Sequence, residues 1–191
     1  PMNSSAASDV YKRQIQNLDS TSKSILIWRA MLQWLGGIGI IVIAIAIFPI
    51  LKIGGMQLFQ SEFSSKEEKV LPRTTKIATG IGFVYFFLTI ICSFSLFVTG
   101  MSGFDSVAHG MTIIATGGFS TKDMSIGFFD SVYIEVVTIF FMILSSLPFI
   151  LLFQFIRGKF MDLIASSQVR FFLILILSVT ILVAFWLKRY Y

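Results

Sequence analysis

The chain contains 191 residues, of which 55% are hydrophobic and only 13% are charged. Because soluble domains carry about 25% charged residues, this composition excludes a disordered chain and an ordinary soluble enzyme. The single cysteine excludes an internal disulfide framework. The net charge of +5 comes from basic residues that stand between long apolar runs, which is typical of a membrane protein and not of a nucleic-acid-binding one.

Four apolar runs are candidates for crossing a bilayer as helices, which takes about 20 residues each. The second run exceeds one span, and we expect it to leave the bilayer near Gly100, whereas the fourth has 17 residues and is short for a span. The pattern predicts an all-α polytopic membrane protein with four transmembrane helices. The four runs cover residues 30–51, 77–104, 136–156 and 171–187.

Between the second and third runs, residues 106–121 carry no formal charge, and His109 is their only titratable residue. Sixteen residues are too few for a comfortable crossing, and Gly117 and Gly118 interrupt the segment near its end. Apolar segments of this length are often re-entrant, and non-helical backbone persists at membrane depth only where protein buries it or water lines it. We therefore predict a re-entrant helix over about 105–114, followed by an extended strand.

Lysine and arginine counts predict the orientation of the chain. The loop at 52–76 has five of these residues and the loop at 157–170 has three, whereas residues 101–135 have one. Under the positive-inside rule, the two basic loops are cytoplasmic and the re-entrant segment enters from outside. Six basic residues in the two terminal segments argue the other way. The internal loops receive more weight because we expect the chain to be a piece of a longer membrane protein.

The residues of the predicted strand suit an ion selectivity filter, in which backbone carbonyls replace the water around a dehydrated cation. Glycine permits the φ values that turn successive carbonyls toward one axis, and the partly negative C-terminal end of the short helix favours a cation. Spacing alone leaves an ordinary extracellular loop with an amphipathic helix as an alternative. The predicted filter consists of Ala115, Thr116, Gly117, Gly118 and Phe119, with Asp105, Asp123 and Asp130 concentrating cations at the outer mouth.

Several stretches of the sequence, in order, are similar to a known family. Residues 27–40 (IWRAMLQWLGGIGI) resemble the signature helix of Trk/Ktr-type potassium uptake proteins, and residues 52–59 (KIGGMQLF) resemble the segment that follows it there. Residues 104–106 (FDS) and 113–121 (IIATGGFST) resemble that family's second pore helix and filter. The similarity extends over about residues 24–187, and on these motifs the chain is identified as a member of the family.

The resemblance implies a pore surrounded by four pseudo-repeats, each made of a helix, a pore helix with its filter strand, and a second helix. It implies potassium uptake across the bacterial cytoplasmic membrane, with no cofactor and with K⁺ as the transported ion, held by the backbone carbonyls of Thr116, Gly117 and Gly118. The implied partners are the lipid bilayer, the remaining repeats, a second copy of the full-length protein and a cytosolic nucleotide-binding regulatory subunit. No nucleic acid is implied. Because the pore needs four filter strands and this chain has one, we do not expect it to conduct ions alone.

The same resemblance divides the chain into the end of the first repeat, all of the second and the start of the third. A non-membrane part at 1–23 precedes the outgoing helix of repeat one at 24–51, and cytoplasmic loops follow at 52–76 and 157–170. The second repeat lies between these loops, at 77–156, with its first helix at 77–103, its pore helix and filter at 104–121 and its second helix at 132–156. The first helix of repeat three is at 171–191.

Other residues have simpler expected roles. His109 is expected to pack within the pore helix with a local hydrogen bond, and Cys92 to fill apolar space. Arg29 and Glu135, near the outer ends of their spans, are expected to pair or to snorkel, with contacts that support the filter as the alternative. Pro148 lies within an apolar run, where proline kinks a helix.

Two functional classes other than a potassium transporter fragment stay open. One is a small cation channel subunit that assembles as a tetramer. The other is a non-conducting membrane scaffold, in which residues 106–121 would lie on the surface instead of dipping between spans two and three. An enzyme is not expected, because a single histidine and a single cysteine form no catalytic constellation.

Overall fold

Every regular element in the part of the chain that the computed structural model describes is a helix, which confirms the predicted all-α class. The family-like motif at 52–59 and residues 52–69 of the predicted basic loop lie outside this part, whereas residues 70–76, also expected in that loop, are helical. Backbone is described for residues 17–51, 70–158 and 160–190, and side chains for residues 17–39, 78–158, 160–161 and 163–189.

Two helices of this part contain stretches long and apolar enough to cross a membrane, Ala78–Val98 and Ser167–Arg189. Short 3-10 helices at Leu18–Ser20 and Ser125–Phe129 lie in the connections. In chain order the α-helices are α1 (Lys23–Leu51), α2 (Val70–Val98), α3 (Gly103–Ile114), α4 (Val132–Ser145), α5 (Phe149–Ile156), α6 (Phe160–Ala165) and α7 (Ser167–Tyr190). The segment at 157–170, expected to be a loop, therefore contains α6 and the start of α7.

The helix expected over 132–156 is broken into α4 and α5, which meet at 97°. Pro148 stands at the N-cap of α5, where its missing N–H and fixed φ begin a new helix more easily than they continue the old one. The Ser146 hydroxyl donates a 2.7 Å hydrogen bond to the Met142 carbonyl, a back-bond that favours bending. If the bent pair is counted as one span, it is a third candidate crossing.

The short helix α3 lies at the centre of the packing, in contact with α1, α2 and α4. Its sequence would be costly to bury without partners, since it carries Ser106, His109 and Thr112 among its buried residues. The apolar core beside it includes Ile113 and Ile114 and extends through Tyr85, Cys92, Leu96, Met101, Ile134 and Phe141. Cys92 is fully buried in this cluster, in the space-filling position expected of it.

Close packing of α3 on α2 depends on a glycine. A Cβ atom on Gly110 would collide with the Ser93 side chain and would lie 3.1 Å from the Ser93 Cα atom. The backbone of α2 cannot rotate away as a flexible side chain would, so a larger residue at position 110 must push the two helices apart. The absence of a side chain at this position thus sets the depth at which α3 packs.

We predict that Gly110→Ala lowers the free energy of unfolding by about 1–3 kcal/mol, the usual cost of overpacking. Gly82→Ala is the matched control, because it is also a helix-interior change and its Cβ would meet only Ile38 Cδ1 at an ordinary 3.7 Å. Both changes gain the same helix propensity, so their difference isolates the packing effect. Thermal unfolding in detergent measures it, and equal midpoints for the two variants would contradict the predicted contact.

Candidate selectivity filter

The N-terminus of α3 is tied to the residue that follows the predicted filter. Ser102 caps the helix by accepting a 3.2 Å hydrogen bond from the Asp105 N–H, and its hydroxyl donates to Asp105 Oδ2 at 2.7 Å. The Thr121 hydroxyl donates to Asp105 Oδ1 at 2.6 Å. Burial raises the pKa of Asp105, but the hydrogen bonds from Thr121 and Ser102 outweigh burial, so its pKa lies below the ordinary value. The ionised Asp105 side chain therefore joins the start of the helix to the segment that follows the predicted filter.

His109, one turn further along α3, holds the next residue of the strand. Its Nδ1 lies 2.8 Å from the Asp105 carbonyl, which can only accept, so we assign the proton to Nδ1. Nε2 then accepts a 3.0 Å hydrogen bond from the Ser120 hydroxyl, whose oxygen accepts from the Lys122 N–H at 3.0 Å. The imidazole is buried, with both nitrogens used. This arrangement agrees with the packing and local hydrogen bond expected of His109.

Thr112 provides a third tether from the same face of α3. Its hydroxyl lies 2.9 Å from the Phe119 carbonyl and 3.1 Å from the His109 carbonyl. Asp105, His109 and Thr112 are spaced i, i+4 and i+7, which places them on one helix face. Residues 119, 120 and 121 are thus each held by one α3 side chain.

The C-terminus of α3 turns sharply into the filter segment. The Thr116 N–H bonds to the Ile113 carbonyl at 3.0 Å, and the Gly117 N–H bonds to the Thr112 carbonyl at 3.0 Å, which is the Schellman pattern. The position after the C-cap normally holds glycine, yet here Thr116 adopts φ 53°. Left-handed backbone costs an L-residue about 1–2 kcal/mol, and a β-branched residue there is a true outlier.

The predicted extended strand is therefore interrupted rather than straight. Gly118 is also left-handed, with φ 74°, so left-handed residues flank Gly117. Residues 116–119 are exposed, whereas the second half of α3 is buried. Within the predicted re-entrant segment, α3 is therefore the buried part and the backbone at 116–119 is the exposed part.

Helix α1 lies along the other side of this backbone, in antiparallel register. The Arg29 guanidinium carbon lies 4.7 Å from the centroid of the Phe119 ring. A Cβ on Gly117 would overlap the Gln33 amide, and a Cβ on Gly37 would lie 3.2 Å from the Ala115 Cβ. Positions 29, 33 and 37 of α1 thus meet positions 119, 117 and 115 of the filter. Gln33 was not among the residues singled out from the sequence, where its one signal is an amide within an apolar run.

A cavity of about 250 Å³ adjoins the inner end of the filter segment. The Tyr85 hydroxyl at its wall donates to the Trp34 carbonyl at 2.8 Å, and the Ser145 hydroxyl donates to the Ile113 carbonyl at 3.1 Å. The C-terminal end of α3, which carries partial negative charge, forms part of the cavity wall. Its lining is Gly37, Tyr85, Ile114, Ala115, Thr116, Ser145 and Phe149.

The remaining predicted mouth residues differ in their surroundings. Asp123 Oδ1 accepts a 3.1 Å hydrogen bond from the Leu18 N–H, before the start of α1. Next to it, Lys122 Nζ lies 3.4 Å from Asp19 Oδ1, which joins the same two segments. Asp130 is exposed, at a left-handed position that ends a 3-10 helix. Asp105 and Asp123 are therefore engaged within the protein, while Asp130 points its charge at solvent.

Comparison with known proteins decides the family. The TrkH family model, described as a cation transport protein, matches residues 2–188. The chain belongs to the TrkH family.

Named relatives of the TrkH family agree with this assignment. The chain is 40% identical over 171 residues to the Trk system potassium uptake protein TrkI of Halomonas elongata, covering 89% of this chain and 35% of that protein. It is 45% identical over 141 residues to TrkH of Vibrio parahaemolyticus, covering 73% and 29%. The crystal structure of the potassium transporter TrkH from Vibrio parahaemolyticus superposes with a TM-score of 0.62 at 39% identity, over 81% of this chain and 28% of that one. The chain spans about a third of the length of the curated relatives it matches.

TrkH family membership and the apolar helices together confirm a multi-pass protein of the bacterial cytoplasmic membrane. The named relatives are potassium uptake proteins. The family-like motif at 113–121 comprises the end of α3 and the segment that follows it, part of which also contacts α1.

We predict that acidification destabilises the fold through His109. Burial lowers the pKa of this imidazole despite the opposing hydrogen bond to the Asp105 carbonyl, so below about pH 6.5 the unfolded chain binds a proton that the folded chain refuses. Stability then falls as the pH is lowered, by at most about 1.4 kcal/mol per pH unit.

Thermal unfolding from about pH 7.5 to 5.5 tests this, and the decrease should be smaller in His109→Gln. Asp105 does not account for the decrease, because the hydrogen bonds from Thr121 and Ser102 hold its pKa below the ordinary value of a carboxyl group. Equal decreases in the two proteins would show that His109 is not the responsible group.

Proposed function

We propose that this chain supplies one quarter of a potassium-selective pore in the bacterial cytoplasmic membrane, with K⁺ passing the backbone carbonyls of Thr116, Gly117 and Gly118. The relatives are named potassium uptake proteins, which supports the choice of ion. The observation that carries the proposal is the open backbone at residues 116–119 on a buried re-entrant helix.

The geometry supports ion dehydration by the backbone. A cation that enters a filter exchanges its water for carbonyl oxygens, which must be held at fixed spacing to compensate for the lost hydration. Three hydrogen-bonded tethers from α3 restrain residues 119–121. The C-terminal end of α3 faces the inner cavity, where partial negative charge stabilises the cation that has left the filter. The membrane potential drives inward movement, at about 2.3 kcal/mol per charge per 100 mV.

The proposal requires other protein around this chain. The apolar window of α7 has no part buried within the described chain, so lipid or further protein must cover it. Three more repeats of the same polypeptide would complete the filter, and the assembly expected for the full-length protein is a homodimer with a cytosolic nucleotide-binding regulatory subunit.

The scaffold alternative is less compatible with the geometry. It needs residues 106–121 to lie on the surface, but seven residues of α3 are buried, and the helix contacts α1, α2 and α4. The tetrameric channel alternative is separated by crosslinking in lipid. A four-subunit product from a protein with a single filter motif would favour that alternative over a four-repeat chain.

The central test replaces Gly118 by alanine in the complete reading frame, expressed in a cell that lacks its own potassium uptake. The φ of 74° penalises any side chain, so a 1–2 kcal/mol distortion should reduce uptake by about tenfold. Gly127→Ala is the control, because its Cβ would meet no atom within 4 Å and its φ is ordinary. Wild-type uptake with both Gly117→Ala and Gly118→Ala would overturn the filter assignment.

A second prediction concerns the strained residue Thr116. Thr116→Gly removes the energetic cost of the left-handed backbone, so the thermal stability should be unchanged or higher. The same change loosens the backbone at this position, so the ratio of K⁺ to Na⁺ uptake should fall. Ser125→Gly is the matched control, since Ser125 has a similar φ of 57° outside the filter. It should leave the ratio unchanged. A wild-type ratio in Thr116→Gly would contradict a role for the strain in selectivity.

A further inference from the structure

Helix α1 precedes the helix–loop–helix unit that contains the filter, and the family resemblance places it in the preceding repeat. It nevertheless lies beside the filter backbone in a regular register. Positions 29, 33 and 37 lie about one helical turn apart along α1, and they meet alternate positions 119, 117 and 115 of the filter segment. One face of α1 therefore forms a wall along the filter.

Gln33 occupies the middle of this wall. Its amide fills the volume that a side chain on Gly117 would take. Gln33 Oε1 is buried, and it has no hydrogen-bond partner among the residues that the structure describes. An unpaired amide oxygen beside a filter backbone is costly to bury, so packing alone does not account for it.

Arg29 stands one turn nearer the outside. Its guanidinium lies over the Phe119 ring, the geometry of a cation–π contact. Of the two roles expected for Arg29, this contact with the predicted filter's own aromatic side chain agrees with the alternative, contacts that support the filter. Arg29 and Phe119 also border a small pocket with Thr112, the residue whose hydroxyl reaches the Phe119 carbonyl.

Helix α1 is itself anchored firmly to α2. The Trp34 indole N–H donates to the Thr89 hydroxyl at 3.0 Å, and the Tyr85 hydroxyl donates to the Trp34 carbonyl at 2.8 Å. Trp34 follows Gln33 directly, so these bonds fix the helix where it meets Gly117. Helix α1 is therefore held in place next to Gln33, the residue that contacts Gly117.

We propose that Gln33 and Arg29 are positioning residues that hold the filter from the side opposite α3 and thereby set its preference for K⁺ over Na⁺. The proposal rests on the potassium-filter function proposed above. The hydrogen-bonded tethers from α3 reach residues 119–121, whereas Gly117 contacts Gln33. Carbonyls at 116–118 would then owe their spacing to α1, and a shift between two repeats would alter selectivity directly.

The sharpest test is a size exchange in the complete protein, read as potassium uptake in a deficient cell. Gly117→Ala should impair uptake because its Cβ meets the Gln33 amide, and adding Gln33→Ala should restore at least a third of the wild-type rate. The same Gln33→Ala change should not rescue Gly118→Ala, whose defect arises from φ and not from lack of space. Rescue is a gain of transport, so misfolding cannot imitate it.

Arg29 is tested by the ratio of K⁺ to Na⁺ uptake, which does not depend on the amount of protein. Arg29→Met should lower this ratio by about fivefold, because it removes a cation–π contact of roughly 1 kcal/mol, and that free energy corresponds to about a fivefold change. Arg29→Lys keeps a charge over the ring and should retain most of the ratio. Glu135→Gln is the control, because Glu135 is an exposed residue in the first turn of α4, and it should leave the ratio unchanged.

The outcomes separate this inference from the function on which it rests. If Gly117→Ala impairs uptake but Gln33→Ala does not restore it, or if Arg29→Met has the wild-type ratio, the positioning role is wrong while the filter stands. If neither Gly117→Ala nor Gly118→Ala changes uptake, the filter assignment fails, and the positioning role fails with it.

Discussion

Irregular backbone persists at membrane depth only if protein satisfies its polar groups, and this constraint governs the filter segment. The N–H groups of Thr116 and Gly117 return to carbonyls of α3 through the Schellman bonds. Further out, the Thr112 hydroxyl reaches the Phe119 carbonyl, and two more side chains of α3 hold the next two residues. A fully apolar α3 would leave these groups without partners. Polar residues on this buried helix are therefore a requirement of the turn that follows it.

The same bonds explain how a β-branched residue stays left-handed. Strained backbone survives where its surroundings over-determine it, and Thr116 has the Schellman bonds on one side and Gly118 on the other. The Ser145 hydroxyl adds a bond from α4 to the Ile113 carbonyl, so the last turn of α3 is held from a second helix. Strain and restraint coincide at the point where a filter would need its carbonyls fixed.

Local sequence pattern was sufficient for the re-entrant helix and insufficient for its surroundings. The predicted start near Asp105 and end near Ile114 lie within two residues of the observed helix, because the uncharged segment after Asp105 and the paired glycines that interrupt it are local signals. The role of Gln33 is not predictable from local sequence, because its contact with Gly117 spans 84 positions and no periodicity within α1 indicates it. The helix breaks by 97° near Pro148, which is more than the kink expected from proline alone. The Ser145 hydrogen bond to the Ile113 carbonyl of α3 is a tertiary contact at this break, and local sequence does not predict it.

Three neighbouring positions of the filter meet three different physical demands. Gly117 has ordinary φ but no space for a Cβ, because the Gln33 amide lies there. Gly118 has open space around its Cα but a φ of 74°, which only glycine adopts without strain. Thr116 accepts a comparable φ while keeping its side chain at the wall of the inner cavity. The three positions therefore respond to substitution for different reasons. Removing the Gln33 side chain makes room for a side chain at position 117, and glycine removes the backbone strain at position 116. Neither change lowers the cost of a side chain at position 118. This division explains why a short Thr-Gly-Gly sequence is informative only when its two walls, α3 and α1, are known.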